Sequence, residues 1–444
     1  MRHLWNTRAL LLAIVLLGIP ILAACAPTSL TPTPVPAKPS PAPKAEATKP
    51  APEPTKQATP TKAPEAAKQA GAKAPSGDPI AIGFVDSSTG YMSAMGSPQR
   101  ELVLAMEEKI NAEGGVNGRP LKVIAYDDES SESTAVLAVK KLIEQDKVHA
   151  IIGPCATGIA MAVAPISEAA KVPHVTLNSG RAILDPPKKY VFKLPLNEEF
   201  YIEGMFMYLK EQKLTKVGLL TQGASFGREA KRYFEENIDK HGLKIVANEA
   251  YGPNDIDIRA PLTRIKAANP DALVVYGAEP AGVIAIRQAK EIGIKAPIVA
   301  PHSLTMPAIV NVKELRDGLE GVLVVGHKPE VYKQLPDSDR QKRIIASVDA
   351  LIQKKYGHPV SQWEGNAYDA FTIVIEAAKR ANVDPTKLEE ARNKIRDAIE
   401  ATKDLVGMSS IVSYSPTEHE IIRLDTLAFV RLENGEFRLV KVNQ

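Results

Sequence analysis

The chain has 444 residues, with 55 Lys and Arg against 52 Asp and Glu and a formal net charge of +3. That length is ample for two packed domains, and a near-balanced charge without a basic cluster interleaved with aromatics argues against nucleic acid as a partner. Its two cysteines, Cys25 and Cys155, cannot build a cysteine-rich zinc site, and the eight histidines form no HExxH, so no metal or other cofactor is expected.

Arg2 and Arg8 precede LLLAIVLLGIPILAAC, an apolar run of signal-peptide length that ends in small residues. It is too short and wrongly flanked for a good membrane span. Leu22-Ala23-Ala24-Cys25 resembles the lipobox of bacterial lipoproteins, which implies that residues 1–25 are a signal and that Cys25 carries lipid as the mature N-terminus. Residues 26–77 are rich in Pro, Ala, Thr and Lys, with no aromatic. Such a segment cannot bury a core and is expected to be a disordered, polyproline-leaning tether. At about 3 Å per residue its reach is on the order of 150 Å.

From Pro79 the texture changes to alternating strands and helices. IAIGFV reads as a strand, DSSTGYMSAMGS as a loop, and Gln99 to Ala112 as an amphipathic helix closing at Gly114-Gly115. Asn117-Gly118 turns the chain into the strand LKVIAYDD, and Thr134 to Gln145 is the next helix. AIIGP is a buried strand, Cys155-Ala156-Thr157-Gly158 a tight turn, Ile159 to Lys171 a helix and HVTLNS a strand. KVGLLTQ, LKIVANEAY and DALVVYGA lead in turn into helices at Arg228 to His241, Ile258 to Ala268 and Gly282 to Ile292. APIVAP and GVLVVGH are strands, followed by helices from Arg340 to Tyr356 and Asn366 to Ala381. The rhythm predicts parallel, doubly wound α/β sheets. LAFVRLENGEFRLVKV, with Asn434-Gly435 at its centre, predicts a closing hairpin.

Thr157 stands where an N-cap should stand, so this turn would present a hydroxyl and free N–H groups to an anion at a helix N-terminus. One enzyme motif competes: Gly223-Ala224-Ser225-Phe226-Gly227 matches GxSxG between a strand and a helix, and Asp369 or Asp404 with His419 permits a hydrolase order. No HGGG-like segment precedes it, and Cys155 has no histidine or acid assigned to it as a nucleophile. Asp127-Asp128, a lone acidic pair at a strand end, is expected to be solvated or to cap the next turn. Neither GxxxxGK[ST] nor GxGxxG occurs.

IGFVDSSTG, INAEGGVNGRPLKVIAYDDESS and AIIGPCATGIAMAVAPISEAAKVPHVTLNS together resemble the branched-chain amino-acid-binding family of type I periplasmic binding proteins. So do YGPNDIDIRAPLTRIKAANPDALVV, IRQAKEIGI and WEGNAYDAFTIVIEAAKRA, in the family's order from Ile80 to the end of the chain. The resemblance implies two α/β lobes, 78–193 plus 326–408 and 194–325 plus 409–444. Three hinge crossings would join them, near Phe192–Leu194, Val324–His327 and Met408–Val412, with a ligand cleft between. It implies a non-enzymatic, extracytoplasmic monomer that captures an amino acid or related small carboxylate or amide by closure. Delivery would be to an ABC permease and its ATPase; a ligand-sensing receptor domain of the same fold is the other reading, beside the esterase. The ligand carboxylate falls to Thr157, with Ala156 and Cys155 contributing backbone, and Asn178, Ser179 and Gly180 match positions that supply further polar contacts. Gly180 lacks the hydroxyl often found at its position. Phe226 replaces a frequent tyrosine, His302 stands where branched-chain binders have an acid, Glu279 is a candidate replacement for that charge, and Tyr91 and Met95 are wall residues.

Overall fold

β1 (Ile80–Asp86) is buried along its whole length, which is why it reads as a continuous apolar run and does not alternate. The computed structural model describes residues 73–442 apart from 278, 306–309, 311 and 422, and apart from the side chains of 279 and 280. The signal, Cys25 and nearly all of the tether lie outside the described residues.

β1 pairs in parallel with β2 (Leu121–Asp127) and β3 (Ala150–Ile152), and β4 (His174–Leu177) and β5 (Val191–Leu194) extend the sheet in the order β2-β1-β3-β4-β5. Helices α1 (Ser93–Ala112), α2 (Glu132–Glu144) and α3 (Thr157–Ala169) make the crossovers. Ser131 caps α2 by accepting the N–H of Thr134 at 3.4 Å. α1 begins six residues before Gln99, with Pro98 inside it. Its first turn closes when the Met95 and Gly96 N–H groups bond to the Met92 carbonyl, at 2.8 and 3.1 Å. Glycine is required at 96, because a Cβ there would lie 2.3 Å from the Ser87 carbonyl oxygen.

α4 (Glu198–Glu211) carries the chain into a second sheet. β6 (Lys216–Gln222), β7 (Lys244–Tyr251), β8 (Ala272–Tyr276), β9 (Ile298–Pro301) and β10 (Leu323–Gly326) are parallel there, linked by α5 (Ser225–Asn237), α6 (Arg259–Ala267), α7 (Glu279–Glu291) and α8 (Lys313–Gly318). α9 (Lys342–Tyr356), α10 (Gln362–Ala381) and α11 (Leu388–Glu400) follow, and α10 lies against α1 and the first sheet. A two-stranded ribbon, β11 (Leu405–Val406) with β12 (Ile411–Val412), precedes the terminal hairpin of β13 (Ala428–Glu433) and β14 (Glu436–Val442). Asn434 and Gly435 turn that hairpin with φ of 53° and 75°, as an Asn-Gly pair does at lowest cost. It joins the second sheet antiparallel to β10, giving the order β14-β13-β10-β9-β8-β6-β7.

The segments between the sheets meet one another. His327, just after β10, donates from Nδ1 to the Ser409 carbonyl at 3.2 Å and accepts the Tyr201 hydroxyl of α4 at Nε2, 2.6 Å. The Lys193 N–H of β5 bonds the His419 carbonyl at 2.8 Å, and the Tyr414 hydroxyl returns to the Lys193 carbonyl at 3.1 Å. Among the described residues no helix is long and apolar enough to cross a membrane.

Candidate functional site

In each sheet the strand order reverses beside the first strand in sequence, between β1 and β3 and between β6 and β8. Open α/β sheets bind ligands outside the carboxyl ends of strands at such a point. A cavity of about 340 Å³ lies there, walled by loops from both sheets. Tyr91, Met92 and Met95 come from after β1, Cys155 to Ile159 from after β3, and Leu177 to Ser179 from the end of β4. The second sheet brings Gln222 and Ala224 to Phe226 after β6, Pro253 and Asn254 after β7, and His302 and Ser303 after β9. Of the ten ligand candidates read from the sequence, nine line this one cavity; Glu279 is the tenth, and its side chain lies outside the described residues.

The start of α3 differs from expectation by one residue. Ala156, with extended backbone (φ −81°, ψ 131°), is the N-cap of α3, and Thr157 is its first helical residue. Alanine has no side-chain acceptor, so the N-cap residue offers the helix no side-chain hydrogen bond. The Thr157 side chain instead packs on Gly180, where a Cβ would fall 2.4 Å from Thr157 Cγ2 and 3.2 Å from its Oγ1. A side chain at 180 would therefore collide with Thr157. Cys155 lines the cavity, and burial pushes its thiol up to about 12, where it is no nucleophile.

His302 sits inside the protein, 3% exposed, stacked on Tyr201 with ring centres 4.1 Å apart. Burial drives its pKa well below 6.5, so it is neutral. Phe226 is half-buried, its ring centre 5.4 Å from that of Tyr276 and 6.1 Å from that of His302. Behind them lies Glu198 of α4, 3% exposed, which accepts the hydroxyls of Ser179 and Tyr276 and stands 3.9 Å from His302 Nε2. Burial pushes its carboxyl up to about 7.

Sequence reasoning missed Glu198 and Trp363. Asn197-Glu198-Glu199 ahead of an apolar run is a helix-start pattern that marks α4. Trp363 lines the cavity in the first turn of α10, which starts at Gln362 and so ahead of the expected Asn366. The Ser361-x-x-Glu364 capping box marks that start.

The hydrolase constellation does not assemble. Ser225 accepts a hydrogen bond from Arg228 at 3.1 Å. Asp369 accepts the N–H groups of residues 408–410, Asp404 pairs with Arg340 and Arg423, and His419 contacts the Val191 carbonyl and Glu400. Asp128 accepts the Ser130 N–H at 2.8 Å, a local turn cap, and Asp127 accepts the Thr89 hydroxyl at 2.7 Å.

Burial pushes several carboxyls up, among them Glu198 and Glu330 to about 7 and Asp369 to about 8. Each native carboxyl retains its proton above the pH at which the unfolded chain loses it. Their stabilising contribution is therefore complete below about pH 4 and is lost as pH rises through the native values. His174 and His327, lowered by burial to about 4, work in the opposite sense, but in the unfolded chain they are already about half titrated at pH 6.5, so only a small part of that gain remains above it. Stability should thus fall by about 1–3 kcal/mol between about pH 6.5 and about pH 8. Denaturation midpoints across that window check it; a rise would contradict it.

A model of the periplasmic binding protein family matches residues 79–436. The leucine-, isoleucine-, valine-, threonine- and alanine-binding protein of Pseudomonas aeruginosa is 26% identical over 318 residues, 71% of this chain and 82% of that protein. An extracellular ligand-binding receptor from Rhodopseudomonas palustris HaA2 superposes with a TM-score of 0.75 at 24% identity, covering 81% of this chain and 99% of that one. LivJ, a branched-chain amino acid transporter substrate-binding protein of Streptococcus pneumoniae solved with isoleucine, gives 0.71 at 23% identity over 82% and 99%. The fold is that of the type I periplasmic binding proteins. Since the family match runs from the first strand into the terminal hairpin, the chain belongs to the periplasmic binding protein family.

Proposed function

We propose that residues 78–444 are an extracytoplasmic solute-binding protein of an ABC importer, which captures an amino acid or related small carboxylate or amide between two lobes and performs no chemistry on it. The lobes are 78–193 plus 326–408 and 194–325 plus 409–444. The solute touches both, so binding shifts an open–closed equilibrium toward the closed form, which docks on a permease and its ATPase. Lipid on Cys25 and the 26–77 tether hold the protein at the membrane. The ligand carboxylate lies against the first turn of α3, at Thr157 with the Cys155 and Ala156 backbone, where the N–H groups of a helix N-terminus and its dipole favour an anion. Tyr91, Met95 and Phe226 enclose the rest.

One observation carries this reading: loops from the carboxyl ends of both sheets line one cavity, and nine of the ten residues that the sequence points to lie in its wall. A thermal-shift panel of branched-chain and aromatic amino acids, aliphatic and aromatic carboxylates, short amides and a simple ester tests it. A solute at about 1,000 times its Kd adds about 4 kcal/mol to native stability. Thr157→Val should weaken binding about tenfold, the effect of one lost hydrogen bond to a charged group. No shift with any solute, together with ester turnover abolished by Ser225→Ala, would sink it.

A further inference from the structure

The GxSxG loop performs no hydrolysis, yet its residues hold a charge in place. The Gly223 carbonyl accepts Arg228 Nη1 at 2.5 Å, and the Ser225 hydroxyl accepts Nη2 at 3.1 Å. Two hydrogen bonds fix the plane of the guanidinium in the first turn of α5 and leave its other N–H groups free to donate elsewhere. Both partners are neutral, so the loop orients this charge without neutralising it. Arg228 lines the cavity, and the one other charged side chain among the described residues of the wall is Glu132, the first residue of α2, since His302 is neutral. Both are exposed, which puts them at the mouth of the cavity and not at its floor. They approach it from opposite sheets and converge on Gly158, in the first turn of α3. Glu132 Oε1 and Ser225 Oγ lie 2.9 and 3.9 Å from the single point that a Cβ on Gly158 would take. The carboxylate and the cradle of the guanidinium thus adjoin, while the two charges themselves stand beyond the ion-pair distance of 4.0 Å.

We propose that Glu132 and Arg228 pair across the mouth as the lobes close, a latch that forms behind the solute without touching it. This rests on the solute-capture reading above, in which Glu132 belongs to lobe 78–193 and Arg228 to lobe 194–325. Both side chains are long and rotatable, so a small approach of the two rims brings them together. An exposed ion pair is weak, about two- to fivefold in an equilibrium constant. All of it falls on the closed form, because open lobes hold the partners apart, and only such a difference between states shifts their populations. The kinetics distinguish a latch from a lure. A rim charge that steers a solute inward changes association, whereas a pair made after entry changes release.

Trp363 lines the cavity and is the only tryptophan beyond residue 25, so its fluorescence follows binding. Stopped-flow mixing of the purified protein with leucine, phenylalanine, 3-phenylpropanoate and each further solute that raises its melting temperature gives both rates. Glu132→Gln and Arg228→Gln should each speed release about two- to fivefold and leave association unchanged. The double variant should lose no more than either single one, since one pair can be broken only once. In about 1 M NaCl the differences should vanish. Unchanged release, additive losses, or an effect on association alone overturns the latch with capture intact. So does a loss in Arg228→Gln that Glu132→Gln does not share, which would mean that Arg228 meets the solute itself. If no panel solute shifts the melting temperature or the fluorescence, the capture reading fails and takes the latch with it.

Discussion

Asp369→Ala is expected to destabilise the protein by roughly 3 kcal/mol or more. Asp369 is 1% exposed on α10, and its two oxygens accept the backbone N–H groups of Met408 at 2.5 Å, Ser409 at 3.1 Å and Ser410 at 2.8 Å. Those residues turn β11 into β12 and are themselves fully buried. Truncation leaves three buried donors unpaired, and each costs about 1–3 kcal/mol when water cannot reach it. The damage should spread. Ser409 also receives the bond from His327, which holds Tyr201, the residue on which His302 stacks. Loss of this turn therefore loosens the cavity wall at His302 as well as the ribbon. Urea denaturation with amide exchange at residues 405–412 checks both effects; a loss under about 1 kcal/mol, close to the range of ordinary surface changes, would show that the turn holds itself.

Strands buried on both faces, such as Ile80–Asp86 and Ala272–Tyr276, are legible in the sequence because they are short apolar runs bounded by turn residues. The Asn434-Gly435 hairpin is legible for a different reason, since its turn demands residues that tolerate positive φ. Helix starts are less so. The apolar spacing places a start at Gln99, yet α1 begins at Ser93, and contact of Gly96 with the Ser87 backbone is a tertiary fact that no local pattern encodes. α4, between β5 and β6, does carry a start signal at Asn197-Glu198-Glu199, but nothing in that signal shows where the Glu198 carboxyl lies. At the site, the loops are identifiable by their place after strands, and nine of the ten candidates indeed share a cavity. Which groups stand behind them is not legible. Ser179 and Glu198 are close in the chain, but Tyr276 and His302 reach the same carboxyl from two other strands. That convergence exists only once the second sheet is folded.

Gly180→Ala should weaken solute binding about tenfold to a hundredfold, although it adds a single methyl group. The added Cβ would lie 2.4 Å from Thr157 Cγ2, far inside van der Waals contact, and 3.2 Å from Glu229 Oε2. Thr157 is β-branched at the first position of α3, with its side chain confined between the helix and residue 180, so it cannot yield without leaving its rotamer. Its hydroxyl would then move from the place where a carboxylate is to be met, and misplacement of one charge-assisted bond by an ångström is enough for a loss of that size. The cause is separable from a general cost of crowding. Thr157→Ser keeps the hydroxyl and deletes Cγ2, the atom in closest conflict. Placed together, Thr157→Ser and Gly180→Ala should bind nearly as well as Thr157→Ser alone, so that the double-mutant cycle gives a coupling of about 1–3 kcal/mol. Additive losses would mean that Gly180 is constrained by Glu229 or by the backbone, and that the missing hydroxyl at this position owes nothing to Thr157.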